Sequence, residues 1–417
     1  MAAGGEAAVA QMTARCGAGT LRGAAIVAGV SIAVVAAAAP PFPRATPDSV
    51  GLSAAKLSDA KALLQKYVDR HTIAGAVAAV ARRGKLAWIA TAGVQDLAAR
   101  TAMREDSIFR IYSMSKSVTA VAAMILHEQG RFSLDDPVAR YLPPFDEVRV
   151  GGSGAAAPRK PSRPITVRDL LLHTSGLEHR TSDLYRRARV RARDITLPQF
   201  VANIVRAPLM EDPGTRFRYS EGTTVLGRLI EIWSGQPLDR FLEERILGPL
   251  GMTDTGFWVT ADHRPRLTTV YAPADGGLKP IEIEEVPFTD KPALLEGAVG
   301  LVSTVPDYLR FAQMLLNKGQ LGGVTILRAD TVETMTKNGL SEAVLAARGG
   351  SMGWGLANVN VAIDGGEYGW DGTAGTIFWN DPPREMVTIL MTQSVPANPD
   401  GLRQRFKALV AQAVASE

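Results

Sequence analysis

The sequence predicts an α+β fold: an antiparallel sheet built from both chain ends, flanked by helices, with a mostly helical domain inserted between. Three observations lead there. A helical stretch and two strand-like runs open the ordered part of the chain, a largely helical middle follows, and strand-like runs with a final helix close it. The length of 417 residues, with 46% hydrophobic and 21% charged, suits either two domains or one large interrupted one.

The first 39 residues differ from the rest. Residues 24–39 form an apolar, alanine-rich run preceded by Arg15 and Arg22 and followed by Pro40-Pro41. This is the layout of a cleaved export signal, with Ala37-Ala38-Ala39 offering small residues for cleavage. Cleavage would place the protein in the periplasm or outside the cell; an uncleaved leader would leave it cytoplasmic. The run is short for a membrane span, and no later segment is long and apolar enough. The single cysteine, Cys16, follows Arg15, which argues against lipidation, and it excludes an internal disulfide.

Residues 40–47 read as a proline-rich linker, and 48–417 as the folded region. The sheet part is expected over about 48–112 and 295–417, the helical part over about 113–294. Residues 53–70 carry helical periodicity through Leu57, Leu63, Leu64, Tyr67 and Val68. Residues 73–81 and 85–91 read as two strands around Arg82-Arg83-Gly84, a hairpin. Helices follow over 113–129, 166–172, 197–206, 222–234, 238–246 and 305–318. The Gly, Ala, Pro and basic composition of 150–164 marks a surface loop. Residues 352–363, 374–380 and 386–393 read as strands, the last two joined at Asp381-Pro382-Pro383-Arg384, and 399–416 as a terminal amphipathic helix.

Net charge is +4. The basic residues are dispersed except for Arg186, Arg187, Arg189, Arg191 and Arg193, read as a solvated face. No zinc-finger, helix-turn-helix or phosphate-loop pattern accompanies them, so nucleic acid is not expected as a partner. The five histidines lack metal-ligand spacing, and no metal or other cofactor is implied.

The chemistry-bearing motif is Ser113-Met114-Ser115-Lys116 at a helix start. Positions i and i+3 share a helix face, so the hydroxyl and the amine can meet. A serine needs a base to become a nucleophile, and a lysine of lowered pKa can be one. Downstream, Tyr219-Ser220-Glu221 precedes a helix, and a tyrosine beside an ammonium can serve as base or proton relay. Further on, Trp370-Asp371-Gly372-Thr373 offers a glycine that permits close backbone approach. The N–H groups of Ser113 and Thr373 could make an oxyanion hole.

In this order and spacing the three motifs resemble the serine β-lactamase and penicillin-binding-protein superfamily, and within it the family VIII carboxylesterases, from about Asp48 onward. Phe109-Arg110-Ile111-Tyr112, the run 166–177 containing His173-Thr174-Ser175-Gly176, Leu247-Gly248-Pro249-Leu250-Gly251-Met252 and Gly300-Leu301-Val302-Ser303-Thr304 strengthen the resemblance. It implies a serine β-lactamase/D,D-peptidase-like fold. It also implies acyl transfer through an acyl-enzyme on Ser113, with Lys116 and Tyr219 as base and relay. Trp370, Gly372 and Tyr112 would contact a small ester substrate.

Two departures bear on substrate. Trp370 stands where β-lactamases carry the lysine of Lys-Thr-Gly, which loses a charge-assisted contact to a carboxylate worth roughly 1.5–3 kcal/mol. Glu221 stands where Tyr-x-Asn would place an amide, and is expected to repel anions or to face solvent. Short uncharged esters are therefore expected, with weak β-lactam turnover. The alternatives are an amide hydrolase or acyltransferase on the same nucleophile, or an inert scaffold, against which the intact Ser113, Lys116 and Tyr219 argue. Three decoys are set aside. Gly349-Gly350-Ser351-Met352-Gly353 matches a nucleophile elbow but lacks the preceding strand. His173 ends a helix and reads as structural. Asp135-Asp136 reads as a cap, and Ser175 and Ser303 as turn residues.

Overall fold

Ser53 starts the first helix by accepting the Lys56 N–H at 3.4 Å. In the computed structural model, which describes residues 40–151, 157–283 and 288–414, that helix is α1 (Ala54–Asp69). The leader expected over 1–39 lies outside the described residues. β1 (Gly75–Arg82) and β2 (Lys85–Asp96) follow. They are joined at Arg83 and Gly84, both at positive φ (+53° and +72°), as a tight primed turn requires. β3 (Thr101–Ala102) adds a short edge.

The polypeptide then leaves the sheet. α2 (Ser115–Glu128) and α3 (Gly222–Ser234) pack together in the inserted region, and α4 (Val305–Leu316) returns to the sheet. The remaining strands are β4 (Met352–Gly355), β5 (Val359–Ala362), β6 (Tyr368–Asp371), β7 (Ile377–Asp381) and β8 (Met386–Thr392), and α5 (Leu402–Ala413) closes the chain. The antiparallel sheet has the order β4-β5-β6-β7-β8-β1-β2-β3, so both chain ends meet at β8 and β1, with Ala76 opposite Thr392.

β1 is buried along its whole length. Ala76, Ala78 and Val80 face the layer of α1 and α5, and Val77, Ala79 and Ala81 face the core shared by α2 and α4. An alanine-rich centre lets helices approach both faces closely, and this three-layer arrangement fixes where the inserted helices sit against the sheet.

Three differences from the sequence reading have local causes. The expected strand over 352–363 is a hairpin, because Asn358 takes a left-handed φ of +55° and reverses the chain. The strand expected from 374 begins at Ile377, and β6 precedes it, so Gly372–Thr376 is the turn between two strands. The inserted region also carries a hairpin, Tyr271–Ala274 with Gly277–Pro280, turning at Asp275-Gly276.

One small ladder positions the site. Phe109 pairs with Ser303 and Arg110 with Val302, and the Ile111 N–H donates to the Leu301 carbonyl at 3.1 Å. This ties the approach to α2 to the segment leading into α4.

Candidate active site

Ser113 lies in the tight turn Tyr112–Met114 that feeds α2, 9% exposed. Tyr112 is held at φ +42°, a left-handed value that a tyrosine keeps only where its surroundings enforce it. The enforcement is visible: its ring is buried edge-on against Phe288 at 6.0 Å, and Tyr308 Oη donates to the Met114 carbonyl at 3.0 Å. Tyr112, expected as a substrate contact, is 1% exposed.

One helical turn on, Lys116 is also 1% exposed. Its Nζ donates to the Ala298 carbonyl at 3.0 Å and reaches Ser113 Oγ at 3.5 Å. It stands 4.6 Å from the centroid of the Tyr219 ring. Tyr219, on the extended piece before α3, has its Oη fixed by the Trp370 indole, whose Nε1–H donates to it at 3.0 Å. The ring is packed by His173 at 4.6 Å, Trp370 at 5.3 Å and Trp354 at 5.9 Å. Trp354 is anchored by its own bond to the Leu171 carbonyl, and Arg348 stacks on Phe217 at 4.2 Å behind it.

The turn after β6 completes the group. A Cβ on Gly372 would lie 2.4 Å from the Ile111 carbonyl and 2.3 Å from Thr376 Oγ1. Only glycine lets this turn close on the strand that leads to Ser113. Thr373 follows, and its N–H has no acceptor among the described residues. Ser113, Lys116, Tyr219 and Trp370 thus come together as direct contacts, and Gly372, which precedes Thr373, closes against Ile111, two residues before Ser113.

The decoys separate from this group. Ser351 is exposed, in the loop between the helix Glu342–Ala347 and β4. His173 is fully buried with φ +54°, and its Nδ1 accepts the Ser220 N–H at 3.2 Å. Burial, aided by the Lys116 charge, pushes its pKa well below the usual range, so it stays neutral as a support for Tyr219. Asp135 pairs with Arg168. Asp136 caps Ser133 and accepts from Arg140 and Tyr141.

Two sequence readings are corrected. Glu221 does not face solvent: it is 1% exposed, and its carboxylate accepts from Thr224 Oγ1 at 2.5 Å. The arginine-rich stretch is not a wholly solvated face. Arg191 turns inward to pair with Glu296, and Arg193, 8% exposed, stacks on Phe288 at 4.5 Å. Glu296 and the Ala298 carbonyl were absent from the sequence reading. Their only signal was position, just ahead of Gly300-Leu301-Val302-Ser303-Thr304. Among the described residues no cluster of His, Cys, Asp or Glu could hold a metal ion, and no helix is long and apolar enough to cross a membrane.

The beta-lactamase family profile matches residues 60–413. The chain belongs to the beta-lactamase family. Its relatives within and around that family are broad in chemistry. Protein Rv1367c of Mycobacterium tuberculosis (strain ATCC 25618 / H37Rv) is 33% identical over 361 residues, 81% of this chain and 90% of the relative. Esterase EstB of Burkholderia gladioli is 28% identical over 385 residues, 84% of this chain and 93% of EstB. Among solved structures, EstCE1, described as a hydrolase with promiscuous acyltransferase activity, superposes with a TM-score of 0.75 at 27% identity. That match covers 87% of this chain and 98% of EstCE1. The LovD6 mutant of simvastatin synthase from Aspergillus terreus gives 0.73 at 26% identity, covering 86% and 96%. The beta-lactamase-family fold is therefore the serine β-lactamase and penicillin-binding-protein fold that the motifs implied.

Proposed function

We propose that the protein is a serine carboxylesterase that cleaves short-chain, uncharged esters through an acyl-enzyme on Ser113. Ser113 Oγ attacks the ester carbonyl carbon and its proton passes to the Lys116–Tyr219 pair. The oxyanion is received by the N–H groups of Ser113 and Thr373. The alcohol leaves with that proton, and water, deprotonated by the same pair, releases the acid.

The observation that carries the ester reading is the Trp370–Tyr219 hydrogen bond of 3.0 Å. An indole here supplies Tyr219 with a donor, as a cation would, and offers an arriving substrate an apolar face in place of a positive charge. Similarity to EstB supports ester hydrolysis in general. Acyl transfer to an alcohol in place of water is the second reading, supported by the likeness to EstCE1 and simvastatin synthase.

The test is hydrolysis of p-nitrophenyl acetate, butyrate and octanoate beside nitrocefin, for wild type and Ser113→Ala, each checked for folding by circular dichroism. Short-chain ester turnover should dominate and fall by at least about a thousandfold in the folded variant. Activity that survives the substitution removes Ser113 as nucleophile, and nitrocefin turnover above every ester replaces the esterase reading with a β-lactamase.

A further inference from the structure

Lys116 is a buried amine held by a carbonyl, a hydroxyl and a ring face, with no direct ion pair among the described residues. A buried cation is costly without a counter-charge nearby. Two buried glutamates belong to the segments that hold it. Glu221 stands at the start of α3, two residues after the tyrosine whose ring Lys116 covers. Its N–H donates to the Glu178 carbonyl at 3.2 Å.

Glu296 opens the segment that supplies the carbonyl to Lys116. Thr119 Oγ1 of α2 donates to the next carbonyl, Gly297, at 2.8 Å. A Cβ on Gly297 would lie 2.9 Å from the Thr119 side chain and 3.4 Å from the Thr223 carbonyl of α3. The 296–298 segment is thus wedged between α2 and the start of α3, with Glu296 in the wedge and Glu221 at the start of the helix it packs against. Both glutamates are 1% exposed. Arg191 Nε donates to Glu296 Oε1, and Glu296 Oε2 is buried with no hydrogen-bond partner among the described residues.

We propose that Glu221 and Glu296 form a buried carboxyl pair that positions the charge on Lys116, with Arg191 neutralising Glu296 and Glu221 serving as the counter-charge of the Lys116–Tyr219 pair. The inference rests on Ser113 being the acylated nucleophile and adds a positioning residue at the site where an amide was expected. Burial, then the neighbouring Glu296, raises the Glu221 carboxyl, and the Lys116 ammonium opposes them. Burial would raise Glu296 as well, but Arg191 outweighs it and holds Glu296 low. The other charged or titratable groups facing the pair are Arg180, Arg193, Tyr185 and Glu178.

The experiment is the pH dependence of Ser113 phosphonylation by a p-nitrophenyl alkylphosphonate, with p-nitrophenyl butyrate hydrolysis in parallel. It uses full-length wild type, Glu221→Gln and Glu221→Asp. Glutamine keeps the shape and the bond from Thr224 but not the charge. The acidic limb, which reports loss of a proton from the base, should move about one pH unit lower in Glu221→Gln, with KM and melting temperature little changed, and Glu221→Asp should restore the wild-type limb. Should Glu221→Gln not fold, Glu221→Asn is measured in its place, and its limb should move in the same direction. A limb that superposes on wild type, or a rate that falls equally at every pH with a lower melting temperature, overturns the proposal. A wild type that is not phosphonylated overturns the Ser113 assignment and this proposal with it; a phosphonylated wild type whose limb ignores the substitution overturns this proposal alone.

Discussion

Trp370 touches two members of the site at once. It bonds to Tyr219 Oη, and its ring meets Trp354 edge-on at 4.5 Å, which sets the orientation of that bond. Trp370→Phe keeps most of the ring and removes the donor. The lost hydrogen bond is worth about 1 kcal/mol, so kcat for p-nitrophenyl butyrate should fall about five- to tenfold with KM within about twofold. A rise in KM at constant kcat would mean that the indole acts as wall and not as donor. Residue identities at the site were legible because spacing carries them: Ser113 to Lys116 is one helical turn, and Tyr219 precedes a helix. What the residues rest on was not legible. Glu221 reads as a surface carboxylate until α3 and the 296–298 segment close over it, and Arg191 reads as one of five similar arginines until Glu296 is in place. Burial is decided by contacts far apart in the chain, and no local pattern encodes it.

The decisive element is the turn between β6 and β7. Gly372→Ala would drive a methyl group into the Ile111 carbonyl, so either this turn or the approach to Ser113 must shift. Losing one oxyanion donor costs roughly a hundred- to thousandfold in kcat. Gly372→Ala should therefore show a loss on that scale toward p-nitrophenyl acetate while circular dichroism still reports a folded protein. Wild-type kcat in a folded Gly372→Ala protein would show that Thr373 is not needed there. Helices were the most readable elements, because their ends carry chemistry. Ser53 caps α1, and Thr166 with Asp169 forms a reciprocal cap on Val167–Leu171. Short strands were the least readable. β6 is Tyr-Gly-Trp-Asp, too brief and glycine-weakened to show alternation, and its pairing with β7 is what makes it a strand. The reversal at Asn358 is likewise a left-handed conformation that the flanking pattern does not announce.

At the scale of the whole molecule, one buried acid gives stability a pH dependence. Asp307, at the start of α4, accepts from the Asp254 N–H at 2.8 Å and Thr255 Oγ1 at 2.9 Å. Burial nevertheless pushes its pKa up to about 7. An unfolded aspartate releases its proton near 3.9. Between those values the folded state binds the extra proton, so this group's contribution is full below about pH 4 and is lost as pH rises through about 7. Asp307→Asn holds the neutral form throughout. Its melting temperature relative to wild type should rise between pH 5 and pH 8, and parallel curves would remove Asp307 as the titrating group. The overall architecture was legible because hydrophobic period and element order are global features of the chain, whereas the order of strands across the sheet was fixed only by which edges finally met.

That meeting has a consequence in time. β1, one of the first strands to be synthesised, finds its central neighbour in β8, nearly the last. While the ribosome works through the inserted helices, the amino-terminal hairpin waits with one edge open, and the layer that α5 must cover stays wet. Loop closure from β1 to β8 has to precede the contacts that reward it. The central sheet therefore closes only once β8 has been made, and until then the alanine-rich edge of β1 stays exposed.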